Sequence, residues 1–258
     1  MKPSLEDTLA LMRDLRQRCE WDAAQTHESL RPYLIEEAYE VDEALLAHDD
    51  ARLREELGDL LLQILFHSVI AEERGAFSLH DVADGFITKM KARHPHLYGD
   101  GVREPWEKMK AKKRESIADG LPTGLPSLHR AFRLQDRAAG VGFDWPTTEG
   151  PLDKVQEELE EVKVELEQLG ETRRDGTPRY DATHDRLQDE IGDLLFAVVN
   201  LARKAGIHPA LALDKSNMKF ARRFQGIETL AASRGIKVEE AGLAELDAMW
   251  EEIKRKEG

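Results

Sequence analysis

Apolar positions recur at helical spacing along almost the whole chain. Leu5, Leu9, Met12 and Leu15 repeat every three or four residues, and Ser4 followed by Asp7 is a helix-start signature, so a helix is predicted from Ser4 onward. Leu34, Ala38, Val41 and Leu45 trace one face of a second helix, as Val155, Leu159, Val162 and Leu166 do further on. The stretches 60–66 and 194–199 are apolar almost all round, which predicts helices buried on every side. Strand signals are nearly absent, with little alternation and no Asn-Gly or Asp-Gly turn between apolar strands. The proline- and glycine-rich stretch 120–127 reads as a linker. Residues 142–151 read as a loop that opens the next helix, and 170–183 as a longer polar loop.

The pattern repeats. LIEEAYEV (34–41) matches VQEELEEV (155–162), and EELGDLLLQILF (55–66) matches DEIGDLLFAVVN (189–200). Lys89 and Arg93 match Lys219 and Arg223, and Trp106 with Lys110 matches Trp250 with Lys254. Four blocks in one order imply a tandem duplication. The fold class expected is all-α, two copies of a helical bundle domain, at 1–120 and 128–258 with a linker at 121–127.

Composition narrows the function. The chain has 258 residues, 41% hydrophobic and 34% charged, which suits a globular protein. A net charge of −14 lacks the footprint of a nucleic-acid binder. Cys19 stands alone, so no internal disulfide forms. No run approaches the ~18 apolar residues of a membrane span, and the first residues lack a leader's apolar centre. The expected compartment is the cytoplasm, with no membrane and no nucleic acid as partner.

The chemistry lies in the carboxylates. Glu36, Glu37 and Glu40 form a stripe beside an apolar helix face, and Glu157, Glu158 and Glu161 repeat it. Taken alone, such a stripe reads as solvated surface. Glu56 and Asp59, and again Glu190 and Asp193, open the most apolar helices, where desolvation is costly without compensation. The members of each pair lie about 60° apart around the axis and share a side. Five carboxylates brought together would repel unless a cation intervened. Oxygen donors without His or Cys suit Mg²⁺ or Mn²⁺ rather than zinc, and Glu-x-x-Asp in place of Glu-x-x-His argues against a di-iron bundle.

Lys154 precedes the second stripe, Lys219 and Arg223 share a helix face, and Trp250 and Lys254 lie one turn apart. Singly these are surface cations and a tryptophan in a core seam. Beside a carboxylate-held cation they supply donors for a triphosphate and an aromatic face for a base. P-loop, dinucleotide-binding and nucleophilic Ser or Cys signatures are absent.

E-E-x-x-E followed by E-x-x-D on an apolar helix resembles the all-α nucleotide pyrophosphohydrolase superfamily. That group includes MazG, the dimeric dUTPases, the dCTP pyrophosphatases and the phosphoribosyl-ATP pyrophosphohydrolases. The tandem organisation looks like full-length MazG, as do the blocks CEWDAAQTHESLRPYLIEEAYEV, RHPHLYGD, LPSLHRAFRLQDRAAGVGFDW, GDLLFAVVNLAR and KFARRF. The resemblance implies Mg²⁺-dependent hydrolysis of nucleoside triphosphates, ATP among them, to the monophosphate and pyrophosphate. It also implies activation of water by the metal, broad base tolerance and a homodimer. It further implies Glu158, Glu161, Glu190 and Asp193 as metal ligands, with Glu157 a further ligand or the group that orients water. Lys154, Lys219, Arg223, Trp250 and Lys254 are implied as nucleotide contacts. The first copy offers Glu37, Glu40, Glu56 and Asp59 as a second metal site, with Glu36, Lys89, Arg93, Trp106 and Lys110 as the remaining counterparts. Tyr33 stands where the second copy has Lys154, which points to 128–258 as the catalytic copy and 1–120 as dimerising or regulatory. A pyrophosphatase selective for one noncanonical or pyrimidine nucleotide, and a helical binding protein whose acidic stripes hold a cation or a partner, are the competing readings.

Overall fold

The computed structural model describes residues 2–103, 106–111, 114–168 and 182–257. Among these the regular structure is helical throughout. Two compact units form, Met1–Arg103 and Glu104–Gly258. The first contains α1 (Leu5–Arg18), α2 (Glu20–Ala24), α3 (His27–Ala47), α4 (Asp50–Glu73), α5 (Leu79–Arg93) and α6 (Pro95–Tyr98). The second contains α7 (Trp106–Ala111), α8 (Ser127–Gly140), α9 (Glu149–Gln168), α10 (Ala182–Lys204), α11 (Pro209–Ser233) and α12 (Leu243–Glu257), with a 3₁₀ turn at Val238–Glu240.

Local chemistry fixes where the helices of the first unit begin. The Ser4 hydroxyl accepts from the Asp7 amide at 3.2 Å and the Asp7 carboxylate accepts from the Ser4 amide at 2.7 Å. Thr26 with Ser29 and Ser78 with Asp81 repeat this reciprocal cap on α3 and α5. Asp49 accepts from the amides of Ala51 and Arg52 at the start of α4. Each such cap is worth about 1 kcal/mol. The turn from α3 into α4 passes through His48 in the left-handed region, φ 53°.

In the first unit α3 packs along α4 and α1 lies on α4, burying Leu9, Met12, Leu30, Leu65, Phe66, Val69 and Ile70 together. In the second, α9 packs along α10 and α8 lies on α10. The same plan, a leading helix across a helical pair, occurs in both units, as expected of a duplicated all-α chain. The pair α11 and α12 closes over its own small core of Ile227, Ala231 and Met249. It closes tightly at Gly226, where a Cβ would meet Ile253 at 3.1 Å.

Two expectations change. The division between compact units falls at 103/104, ahead of the proline- and glycine-rich stretch expected as the linker. Ion pairs explain the difference: Glu107 on α7 accepts from Arg114 at 3.0 Å and from Arg133 on α8 at 2.7 Å, while Arg137 donates to the carbonyls of Ile117 and Asp119. The segment ahead of α8 is thereby bound to the second unit. The apolar runs are buried on one side only. Leu65 and Phe66 are buried, yet Leu62 and Ile64 are exposed; Ala197 and Val199 are buried, yet Leu195 is 54% exposed and Val198 44%. The polar loop expected at 170–183 lies outside the described residues up to 181, and α10 begins at Ala182.

Candidate active site

In the second unit the pairing of α9 with α10 brings Glu158 to Glu190 and Asp193, one oxygen of each lying within 4.8 Å of the others. Glu158 is 4% exposed. Its Oε1 accepts from Lys154 Nζ at 2.5 Å, and its Oε2 is buried without a hydrogen-bond partner. Glu161 joins this group: its carboxyl is raised by a hydrogen bond with Glu158, then by burial and by the charges of Glu158 and Glu190, with Lys154 opposing. Glu157 lies outside the cluster, exposed and paired to Lys154 at 2.7 Å. Lys154 is held firmly protonated by its bonds to Glu157 and Glu158.

The first unit repeats the cluster. Glu37, Glu56 and Asp59 place one oxygen each within 4.8 Å of the others. Glu37 is raised by burial first, then by Asp59, Glu40 and Glu56, which puts Glu40 beside it. Glu36 is exposed. Glu56 accepts from Arg52 at 3.2 Å, a contact without a counterpart in the second unit, where Arg186 turns to Glu165 instead. In each unit an all-oxygen donor set crowded enough to raise one of its own members fits a hard divalent cation such as Mg²⁺ or Mn²⁺. The orphaned Glu158 oxygen strengthens that fit in the second unit, because a buried carboxylate oxygen without a partner is costly.

A cavity of about 550 Å³ opens beside the second cluster, within the roughly 300–1,000 Å³ of small-molecule sites. Lys154, Glu158 and Asp193 line part of it, Trp145, Phe143 and Phe196 give it aromatic walls, and Gln135, Asn200 and Arg203 add polar groups. Two features hold the wall. Asp144 accepts from Arg203 at 2.5 Å and from Lys204 at 3.0 Å, tying the loop ahead of α9 to α10. Burial raises the Asp144 carboxyl, but these two cations outweigh it and hold it below the ordinary range. Gly150 leaves room for the Trp145 indole, against which any Cβ would clash. Composition and spacing gave no signal for Gln135 or Asn200, because α8 and α10 supply them from distant parts of the chain. Trp145 stood in view within GFDW without an assigned part.

The corresponding positions of the first unit are apolar. With α1 and α8 aligned from Ser4 and Ser127, Met12 stands for Gln135; the repeats likewise put Phe66 for Asn200 and Tyr33 for Lys154. Met12 is 1% and Phe66 2% exposed, both within the core cluster. Trp21, on the short α2, meets Phe66 edge-on at 6.3 Å and Tyr33 at 6.4 Å. Apolar and aromatic side chains thus stand in the first unit at the positions that Gln135, Asn200 and Lys154 hold in the second.

The remaining expected nucleotide contacts gather on α11 and α12. Arg223 lies 5.5 Å from the centre of the Trp250 ring and pairs with Glu257 at 2.7 Å. Phe220 packs on the same ring, and Lys254 pairs with Glu251. Lys219 is exposed. Trp250 belongs to the α11–α12 core, and α12 makes its main packing with α11 rather than with α9 or α10. This set is assembled with itself and is not packed onto the carboxylates. Lys89 is exposed on α5 and Arg93 half-buried at its end, whereas Trp106 and Lys110 stand on α7 in the second unit.

Comparison with known proteins bears on these clusters. The family model described as the MazG nucleotide pyrophosphohydrolase domain matches residues 25–98. A Thermotoga maritima protein named nucleoside triphosphate pyrophosphohydrolase/pyrophosphatase MazG is 42% identical, over 96% of this chain and 95% of its own. A nucleoside triphosphate pyrophosphohydrolase of Escherichia coli K12 is 39% identical over 95% and 94%. One from Mycobacterium tuberculosis is 40% identical over 62% of this chain and 50% of its own.

Proposed function

This chain belongs to the MazG family of nucleoside triphosphate pyrophosphohydrolases, and from that premise we propose that its second unit is the catalytic one. The reaction is hydrolysis of a nucleoside triphosphate to the monophosphate and pyrophosphate, and the family is metal-dependent. The observation that carries the reading is the cavity that shares Lys154, Glu158 and Asp193 with the carboxylate cluster. It offers a nucleoside a walled space beside the groups that would meet its phosphates.

Glu158, Glu161, Glu190 and Asp193 would hold Mg²⁺ or Mn²⁺, which when bound offsets phosphate charge and makes water a better nucleophile. Lys154, whose ammonium lies against Glu157 and Glu158, would donate to a phosphate oxygen. A carboxylate of the cluster takes the proton released by attacking water at the α-phosphorus. Trp145 and Phe143 give an aromatic face that suits any base, which supports broad base tolerance. The first unit, with an equivalent cluster but apolar surroundings, serves dimerisation or regulation.

A second copy of the chain is the natural cover for Ile191, Leu195 and Val198, which stay exposed on α10. In such a homodimer the basic and aromatic set on α11 and α12, including Lys219, Arg223, Trp250 and Lys254, would complete a site. The enzyme would act in the cytoplasm on the free nucleotide pool; no helix among the described residues is long and apolar enough to cross a membrane, and the net charge of −14 disfavours nucleic acid. The test is chromatography of the ATP reaction with Mg²⁺: AMP and pyrophosphate are expected, while ADP and orthophosphate would overturn the reading.

A further inference from the structure

Arg203 on α10 lines the cavity, yet its side chain is only 10% exposed. Both edges of its guanidinium are committed. Nε donates at 3.0 Å to Oδ1 of Asn200, one turn earlier on the same helix. That bond fixes the plane of the group and leaves the two Nη nitrogens for the loop ahead of α9. There Nη2 donates to Asp144 Oδ1 at 2.5 Å, and Nη1 reaches Oδ2 at 3.5 Å. The same Oδ1 accepts from the backbone N–H of Trp145 at 2.9 Å. A continuous line of hydrogen bonds thus runs from Asn200 through Arg203 and Asp144 to the main chain that carries the Trp145 indole. Lys204 meets Asp144 as well, but at Oδ2, at 3.0 Å, and as a point charge without the fixed directions of a guanidinium. The indole itself lies against Gly150, where any Cβ would clash. Two observations set this line apart from an ordinary loop staple. It ends on a residue that walls the cavity, and the first unit lacks it: the repeat of α4 and α10 puts Val69 for Arg203 and Phe66 for Asn200, both buried in the apolar core.

We infer that Arg203 is a positioning residue for nucleotide binding: held by Asn200, it acts through Asp144 to fix the Trp145 indole as the flat wall against which a nucleobase stacks. This inference rests on the hydrolase reading of the same cavity. Arg203 is not asked to touch the nucleotide. Its part is to remove the freedom of the loop before the nucleotide arrives, so that the cost of ordering Trp145 does not fall on binding. The effect is therefore on KM, while kcat is set by the carboxylates and the cation they would hold, to which the clamp contributes no ligand.

The test measures pyrophosphate release from ATP by the full chain with Mg²⁺, with Tm recorded alongside. Arg203→Lys keeps the charge but loses the fork that joins Asn200 to Asp144. It should raise KM roughly threefold to tenfold, the span of a lost aromatic contact, and leave kcat within about twofold of wild type. Asp144→Asn, which keeps an acceptor for the Trp145 amide but loses the charge, should do the same. Trp145→Leu decides the route. Alone it should raise KM by a similar factor, and adding Arg203→Lys to it should raise KM no further, because a residue that acts through the indole then has nothing to position. An Arg203→Lys factor that is equal with and without Trp145 overturns the inference. So does a fall in Tm with KM unmoved in both Arg203→Lys and Asp144→Asn, which is the mark of a structural staple alone. Trp145→Leu with a wild-type KM overturns it too, by taking the indole out of the substrate's path. Release of no pyrophosphate by the wild type would instead sink the hydrolase reading itself, and the inference with it.

Discussion

Neutralising the cluster of the second unit should have two opposite effects, loss of activity and gain of stability without metal. Consider Glu158→Gln with Glu161→Gln in the full chain. Glu158 is 4% exposed and has two carboxylate neighbours with oxygens within 4.8 Å. At that separation and an effective dielectric of about 20, each like-charge pair costs about 3.5 kcal/mol. At the same dielectric the ion pair from Lys154 at 2.5 Å would offset nearly both, about 6.6 kcal/mol. That side chain is 39% exposed, however, and solvent screens the pair to roughly half, leaving about one repulsive pair that the exposure of Asp193 weakens further. The net relief is on the order of 1–3 kcal/mol, and for a chain of this size 1 kcal/mol corresponds to about 2–4 °C in Tm. The metal-free double variant should therefore melt a few degrees above wild type. Adding Mg²⁺ should raise the Tm of wild type at the second unit and leave the variant unmoved, and pyrophosphate release should be almost abolished. The matched variant Glu37→Gln with Glu40→Gln should gain stability in the same way but keep most activity, because Tyr33 there replaces the cation Lys154. A phosphate contact from a charged donor is worth about 1.5–3 kcal/mol, tenfold to a hundredfold in rate. Scanning fluorimetry and a pyrophosphate assay on both variants decide the matter. If the first-unit pair kills turnover and the second-unit pair spares it, the catalytic assignment is reversed. A Glu158→Gln, Glu161→Gln protein that melts below wild type without metal would refute the electrostatic account.

Other substitutions probe the cavity and the assembly. Asn200→Phe, which installs the residue the first unit has at this position, should cut kcat/KM roughly tenfold or more by filling the cavity while costing no more than about 1–3 kcal/mol; unchanged kinetics would remove the cavity from the substrate's path. Gly150→Ala pushes the Trp145 indole off its seat, and loss of aromatic contact worth about 0.5–1.5 kcal/mol should raise KM roughly threefold to tenfold, with a tryptophan emission shift as the structural check. Burial raises the Glu107 carboxyl, but Arg133 and Arg114 outweigh it, so its value lies below the ordinary one. Its contribution to stability is thus present above the unfolded carboxylate pKa of about 4.3 and is lost as pH falls through the lowered folded value. Glu107→Gln should flatten the fall of Tm between about pH 4.5 and 3, and identical slopes would dismiss the ion pair as a determinant. Light scattering at micromolar concentration should give twice the chain mass, and a single-chain mass would leave the exposed α10 face unexplained.

Sequence pattern was most informative where the physics is local. The caps at Ser4 and Asp7 depend on neighbours three residues apart, and the Glu-x-x-Asp pairs meet their glutamates because helical spacing puts each on one face. Where contacts span the chain, the pattern was silent. The division at 103/104 depends on Arg114 and Arg133 reaching Glu107, and nothing near Glu107 in sequence announces it. The expectation that the run 194–199 is buried all round failed because hydrophobicity says a surface wants cover without saying what provides it. Gln135 and Asn200 look like ordinary polar residues until α8 and α10 meet. The sequence groups Lys219 with Arg223 and Trp250 with Lys254, and the structure adds the contact of Arg223 with the Trp250 ring, but the packing of α12 on α11 rather than on α9 or α10 was not written in the repeat.

The apolar surroundings of the first cluster bear on how the chain responds to heat. On the proposed assignment, the domain with an open, partly polar hollow carries a thermodynamic handicap tied to its work. The first unit, in which Phe66 and Met12 are buried and Trp21 packs edge-on against Phe66, has apolar side chains at the positions of Asn200 and Gln135. On that assignment, duplication divides labour between a working half and a durable half. Calorimetry of the metal-free protein should resolve two transitions, with turnover disappearing across the cooler one while the residues around Phe66 are still folded.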